Sequence, residues 1–239
     1  MAEPPRLYES ALVRQATGNT IRPGGLTLLQ RAMELCAMAS GARVLDVGCG
    51  TGASTTYLRH RYQLRAAGVD LSAKLLLEGS VTVPGLPLIR GRAEYLPCRN
   101  ACLDGLVCEC VLSLLPDSHA TLCEFNRVLK PGARLIVSDL YRRAPDENGQ
   151  AEVSVPCCVA SARSHSFIRK QVLSAGFELQ LWEDHSYLLG NLAARLILDH
   201  GSLQAFWVKV FGETAGQEIA HAVAASRPGY FLMIAQKRI

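Results

Sequence analysis

Val44-Leu45-Asp46-Val47-Gly48-Cys49-Gly50-Thr51-Gly52 runs from an apolar stretch straight into three glycines at alternate positions. With Arg43 before it, the apolar half reads as a short buried strand. Glycines let a backbone take turns that other residues resist, and let it approach a ligand closely. Ser54 to Tyr62 reads as a helix, so the glycines form the loop of a strand–loop–helix unit. Eighteen residues past Gly52 stands Asp70, just after the next apolar run, Arg65 to Val69. A carboxylate there can accept both hydroxyl hydrogens of a ribose. Dinucleotide sites share that arrangement, but their loop reads Gly-x-Gly-x-x-Gly, and this one reads Gly-x-Gly-x-Gly. Asp46, inside the strand, would also repel a pyrophosphate, whereas it would attract an ammonium.

Outward from this unit the same alternation continues. Ala73 to Gly79 reads as a helix, Leu86 to Arg90 as a strand, Gly105 to Cys110 as a strand and Ser118 to Leu129 as a helix. Pro131-Gly132 turns into a fifth strand, Arg134 to Asp139. Strands alternating with helices imply βαβ units and a parallel sheet. Tyr141 to Gln150 reads as a polar loop, Ser166 to Ala175 as a helix stopped by Gly176, and Phe177 to Trp182 as an alternating strand. Tyr187 to Ala225 is helical in pattern, and Gly229 to Gln236 is a last apolar strand. At the N-terminus a helix, the break Arg22-Pro23-Gly24-Gly25 and a helix from Leu26 to Met38 precede the first strand.

The glycine segment resembles the first motif of class I S-adenosylmethionine methyltransferases. The resemblance extends through GVDLS, GRAEYLP (Gly91 to Pro97), the strand at Leu106 to Cys110 and RVLKPGARLIVSD (Arg127 to Asp139). It therefore covers about Ala42 to Asp139 with motifs in order. It implies an α/β, Rossmann-like fold: a seven-stranded sheet, helices on both faces, an antiparallel edge strand at GYFLMIAQK and a helical insertion before that strand. The pattern along the chain reads as three parts: an N-terminal lid (1–40), a core (41–184 with 228–239) and an insertion over the acceptor site (185–227). It implies S-adenosyl-L-methionine as cofactor. Asp46 and the backbone of Gly48, Cys49, Gly50 and Gly52 would hold its methionine part, Asp70 its ribose, Leu71 the adenine face, and Ala93 with Glu94 the adenine edge. Glu109 or Cys110 would line the methyl-transfer face.

A sulfonium methyl needs an acceptor lone pair aligned behind it, so catalysis is mostly orientation and desolvation. Oxygen and nitrogen acceptors usually need a base, whereas a thiolate or a trivalent metalloid needs only soft ligands. Cys110 to Tyr141 resembles arsenite methyltransferases, which carry metalloid-binding cysteines at Cys110 and in the segment matching Val155 to Ala162. By that resemblance Cys110, Cys157 and Cys158 would hold a soft acceptor. That family has a further cysteine just after the glycine loop, where Ala53-Ser54-Thr55 stands here. Free cysteines are also common small core residues, so that reading stays open. So do acceptors based on organic carbon, oxygen or nitrogen, and a non-catalytic donor-binding role.

Two histidines and an arginine complete the candidates. His185, in WEDHS, is a candidate base or a strand terminus. Asp184 beside it points to the opposite face of its strand, which argues against a dyad. His165 reads as a loop residue. Arg22 would reach the donor carboxylate if the N-terminal helices fold over as a lid; otherwise it is a surface arginine at a helix start. Leu188, Leu192, Leu196, Ile197, Phe206, Val210 and Phe211 recur at helical spacing, which packing on the sheet or on a second subunit explains.

The 239 residues carry a net charge of +4 without a dense basic run, which argues against a nucleic-acid partner. No apolar stretch approaches the roughly 18 residues of a span, and residues 1–6 lack signal-peptide character. The expectation is a cytoplasmic protein acting on a small molecule, off the membrane, with a homodimer left open. Nine cysteines without a secretion signal are expected to be mostly reduced. The close sets are Cys98 with Cys102, Cys108 with Cys110, and Cys157 with Cys158.

Overall fold

The computed structural model describes residues 7–144 and 158–239. Five parallel strands form first: β1 (Arg43–Val47), β2 (Arg65–Asp70), β3 (Leu88–Arg90), β4 (Leu103–Glu109) and β5 (Leu129–Arg142). Two antiparallel strands, β6 (Phe177–Asp184) and β7 (Pro228–Lys237), complete a seven-stranded sheet in the order β3-β2-β1-β4-β5-β7-β6. The order reverses between β1 and β4, so the carboxyl ends of these two strands flank a crevice.

Side chains alternate across the strands and build two cores. On one face Val44, Ala66, Val107, Ile136 and Leu232 meet α2 (Thr27–Cys36), α3 (Ala53–Tyr62) and three late helices, α8 (Ser186–His200), α9 (Leu203–Phe211) and α10 (Glu213–Ser226). On the other, Leu45, Val69, Leu106, Leu135 and Met233 meet α5 (Ser118–Val128) and α7 (His165–Ser174). Helix starts follow side-chain capping: Ser72 caps α4 (Ala73–Thr82), Asp117 caps α5, Ser164 caps α7 and Ser202 caps α9, each accepting a backbone N–H. A short α1 (Ala11–Thr17) and the four-residue α6 (Cys158–Ser161) flank the crevice.

Three expectations need correction. The last strand is antiparallel but not an edge: β7 lies between β5 and β6, with Tyr230 to Ala235 buried, and β6 is the edge. Tyr141 and Arg142 are not loop residues. They extend β5, because its register against β7 continues to Arg142 opposite Pro228, and Tyr141 packs edge-on against Trp182 and Phe231. His165 is the first residue of α7 and lies over Trp182, ring centroids 4.3 Å apart. Cys157 and most of the expected 141–150 loop lie outside the described residues. Among the described residues, no helix is long and apolar enough to cross a membrane.

Candidate active site

The glycine loop closes the carboxyl end of β1. Gly48, Gly50 and Gly52 all have positive φ (75°, 56° and 80°), a region that L side chains rarely adopt. At Gly48 the requirement is doubled, because a Cβ would run into the Val111 side chain. Gly48 and Cys49 donate their N–H groups to the Val69 carbonyl, which ties the loop to β2. Asp70, at the tip of β2, accepts the Gly50 N–H (2.8 Å) on one oxygen and the Ser72 N–H (2.7 Å) on the other. One carboxylate thus organises both the loop and the start of α4. Each of its oxygens has the capacity for more than one hydrogen bond, as ribose recognition requires.

A cavity of about 590 Å³ opens over this loop. Asp46, Gly48, Cys49, Gly50, Asp70, Leu71, Ala93, Glu94, Glu109, Cys110 and Cys158 all line it. Gly52 does not; its φ turns the chain into α3. Cys108 faces the opposite core and is wholly buried there.

The floor is a buried polar network. Asp46 accepts the Thr55 hydroxyl at 2.7 Å. Glu109 accepts the Ser54 hydroxyl (2.9 Å) on one oxygen and the Ser138 hydroxyl (3.2 Å) on the other. Arg22 corrects the surface reading. It is 7% exposed and reaches into the cavity, where its Nη2 pairs with Glu109 at 2.9 Å and donates to Ser54. Its Nε donates to the Gly25 carbonyl, so the Pro23-Gly24-Gly25 turn wraps the guanidinium it follows. Among the described residues four carboxylates, Asp46, Asp70, Glu94 and Glu109, line the cavity against two guanidinium groups, Arg22 and Arg92. Burial, helped by Glu109, pushes the Asp46 carboxyl up to about 7.

That excess of negative charge fits a cationic ligand, and S-adenosylmethionine carries an ammonium and a sulfonium. Asp46 also supplies a pH test. Bound cations favour its charged form and lower its pKa, so affinity must follow its ionised fraction in the free protein. Donor binding is expected to be full above pH 7 and to fall as pH drops, by at most about tenfold per unit. Titration calorimetry between pH 5.5 and 8 reads this directly; a flat profile would detach Asp46 from the donor.

The other end of the cavity is apolar. Leu114 and Leu115 follow β4, Leu189, Leu192 and Leu196 come from α8, and Phe206 and Trp207 come from α9. The apolar spacing of the late helices therefore contributes cavity wall at Leu192, Leu196 and Phe206, while Leu188 packs over Gly24. Cys110 stands where the two ends meet. It follows β4 with a left-handed φ of 55°. Burial, with Asp139 nearby, pushes its thiol well up, so it rests protonated. Its sulfur lies 3.4 Å from the hydroxyl of Tyr230, a β7 residue that no motif singles out. His185 is not in the cavity. It precedes α8 and pairs through Nε2 with Glu183 at 2.9 Å, while Asp184 accepts the Tyr141 hydroxyl.

Comparison with known proteins supports this fold. A methyltransferase domain matches residues 45–137. An O-methyltransferase of Aspergillus sclerotiorum is 30% identical over 149 residues, covering 59% of this chain and 53% of that protein. An arsenite methyltransferase of Halobacterium salinarum is 27% identical over 151 residues, covering 59% of this chain and 39% of that protein. The chain thus spans about half or less of the length of these relatives. Among solved structures, Haemonchus contortus phosphoethanolamine N-methyltransferase 2, in complex with S-adenosylhomocysteine, superposes with a TM-score of 0.72 at 17% identity, covering 95% of this chain and 56% of that one. The methyltransferase-domain match thus spans the strands and glycine loop that carry the cavity floor, and the superposition shows the same fold.

Proposed function

We propose that this chain transfers a methyl group from S-adenosylmethionine to a small, soft acceptor, a thiol or thiophilic metalloid, held by Cys110 and Cys158. The observation that carries the reading is the cavity itself. Its acceptor end pairs apolar walls with two cysteines, and its donor end holds the glycine loop and four acids. Among the described residues, no histidine lines it to serve as a base. An acceptor with its own soft lone pair needs none.

The donor supplies an electrophilic methyl on a positively charged sulfur. Asp70 positions the ribose, Asp46 and Glu109 balance the positive charge, and Leu71 with Ala93 flanks the adenine. The segment 1–40 acts as a lid through Arg22, and 185–227 covers the acceptor and excludes water. Cys157, next to Cys158, joins the soft ligand set in this reading.

Turnover tests it. With methyl-labelled donor, label is expected to appear on a small dithiol or a trivalent arsenical. Cys110→Ser is expected to lower that rate by more than about 100-fold, since even the outer partners of a soft ligand set are worth up to that much. The kinship with an O-methyltransferase supplies the competing reading. Transfer to an organic hydroxyl at a rate indifferent to Cys110→Ser would establish it and remove the soft-acceptor proposal.

A further inference from the structure

Four side chains link Cys110 to the floor of the donor site in one continuous line. The Cys110 sulfur lies 3.4 Å from Tyr230 Oη, Tyr230 Oη donates to Ser138 Oγ at 3.4 Å, and Ser138 Oγ donates to Glu109 Oε1 at 3.2 Å. The proton count orients the line. Ser138 has one hydroxyl hydrogen and gives it to a carboxylate, which only accepts. Tyr230 has one and gives it to Ser138. What remains for the Tyr230 oxygen is to accept, so the Cys110 S–H is the donor at the far end. All links point from thiol to carboxylate.

The surroundings are built to keep this order. Tyr230 and Ser138 are wholly buried, on the adjacent strands β7 and β5. The Cys110 N–H donates to the Ser138 carbonyl at 2.8 Å, which fixes the residue in its left-handed conformation. A non-glycine residue held there is strained, and such strain collects at functional positions. A plain core cysteine needs neither the strain nor an oriented chain.

We propose that Tyr230 and Ser138 form a proton relay that carries the Cys110 thiol proton to Glu109 when the sulfur bonds to a soft electrophile. The S–H bond breaks and its proton passes to the Tyr230 oxygen. Tyr230 passes its own to Ser138, and Ser138 passes its own to the Glu109 carboxylate. The sulfur keeps the electron pair and uses it for the new bond to the electrophile, whose bond to its leaving group (a hydroxide or thiolate on an arsenical, iodide on iodoacetamide) breaks; the negative charge lost from Glu109 departs with that group, and no further reagent is needed. Before the electrophile arrives, Glu109 pairs with Arg22 at 2.9 Å, and Cys110 stays a thiol. Glu109 thereby acquires a second role beside the donor, and Tyr230 and Ser138 are positioning residues that never touch either substrate. The charged and titratable groups around Cys110 are Asp139 on β5, Arg22 from the N-terminal segment, Glu109 on its own strand and Tyr230 on β7, with Cys158 of α6 in the same cavity.

The relay rests on the proposed function only for the use made of the sulfur, and its test needs neither donor nor acceptor. The full chain is treated with iodoacetamide between pH 7 and 10, and modification of each cysteine is located by peptide fragmentation. Exposed Cys123 is the internal reference. Tyr230→Phe keeps the ring and removes the hydroxyl; Ser138→Ala breaks the middle link without touching Cys110 or altering charge. Circular dichroism and thermal denaturation verify that each variant is folded. Both are expected to slow Cys110 modification about tenfold at pH 8, with Cys123 unchanged. Unchanged Cys110 rates in both variants would overturn the relay. So would slowing by Tyr230→Phe alone, which would reduce Tyr230 to a local hydrogen-bond partner. A relay that passes this test while arsenicals and thiols go unmethylated would remove the soft-acceptor reading alone.

Discussion

Asp70→Ala is expected to weaken S-adenosylmethionine binding by at least about 100-fold. The carboxylate has two jobs in the structure. It accepts the Gly50 and Ser72 N–H groups, so its loss releases the glycine loop and the start of α4. In the proposed function it also offers the ribose an acceptor at the tip of β2. Hydrogen bonds to a charged partner are worth about 1.5–3 kcal/mol each, and loss of the ribose contacts with a loosened loop adds to about 3 kcal/mol or more. Calorimetric titration measures it, and unchanged affinity would remove Asp70 from the donor site. Asp70→Asn keeps an acceptor oxygen and is expected to fall between the native chain and the alanine variant.

Glu109→Ala is expected to lower the melting temperature by roughly 10 °C. The Arg22–Glu109 pair is buried on both sides, with side chains 7% and 3% exposed. Removing one partner of such a pair typically costs about 3–5 kcal/mol, because the other charge stays buried. Here the Gly25 carbonyl and the Ser54 hydroxyl still hold Arg22 in place, and Asp46, freed from Glu109, becomes a better counter-ion. The lower end of the range, about 3 kcal/mol, is therefore expected. For a chain of this size each kcal/mol shifts the midpoint by about 2–4 °C. Thermal denaturation of the unliganded chain reads the effect. A midpoint within the scatter of the native chain would mean that the pair is not formed in solution.

The site could be read in advance where chemistry is written into local order. The β1–loop–α3 unit was legible because three alternate glycines and an acid on the preceding strand serve a backbone geometry, and the strand that ends in Asp70 completes it. Cys110 was legible through its place at the end of the fourth strand and through the resemblance of its segment to arsenite methyltransferases. What sequence order does not carry is partnership across the sheet. Tyr230, Ser138 and Glu109 are on strands β7, β5 and β4, far apart in the chain, and only the strand order brings them together. Arg22 was a candidate only as part of a lid, and its pairing with Glu109 went unread for the same reason: the partner lies 87 residues away, and nothing in Arg-Pro-Gly-Gly marks a buried guanidinium. The interior place of β7 did leave a trace. Tyr230 to Ala235 is an unbroken apolar run, as a strand covered on both faces requires, whereas Phe177 to Asp184 alternates as an edge does. The extra residues of β5 left none, since Tyr141 and Arg142 are polar enough for a loop and are claimed by their β7 partners.

The central claim is that one cavity binds S-adenosylmethionine at its acidic end and a thiophilic acceptor at Cys110. Titration with the donor, repeated in the presence of a trivalent arsenical and again in Cys110→Ser, tests it most directly. Donor binding is expected in both proteins, with arsenical binding tight in the native chain and lost in the variant. Donor binding with an arsenical affinity indifferent to Cys110 would contradict it and turn the search to organic acceptors.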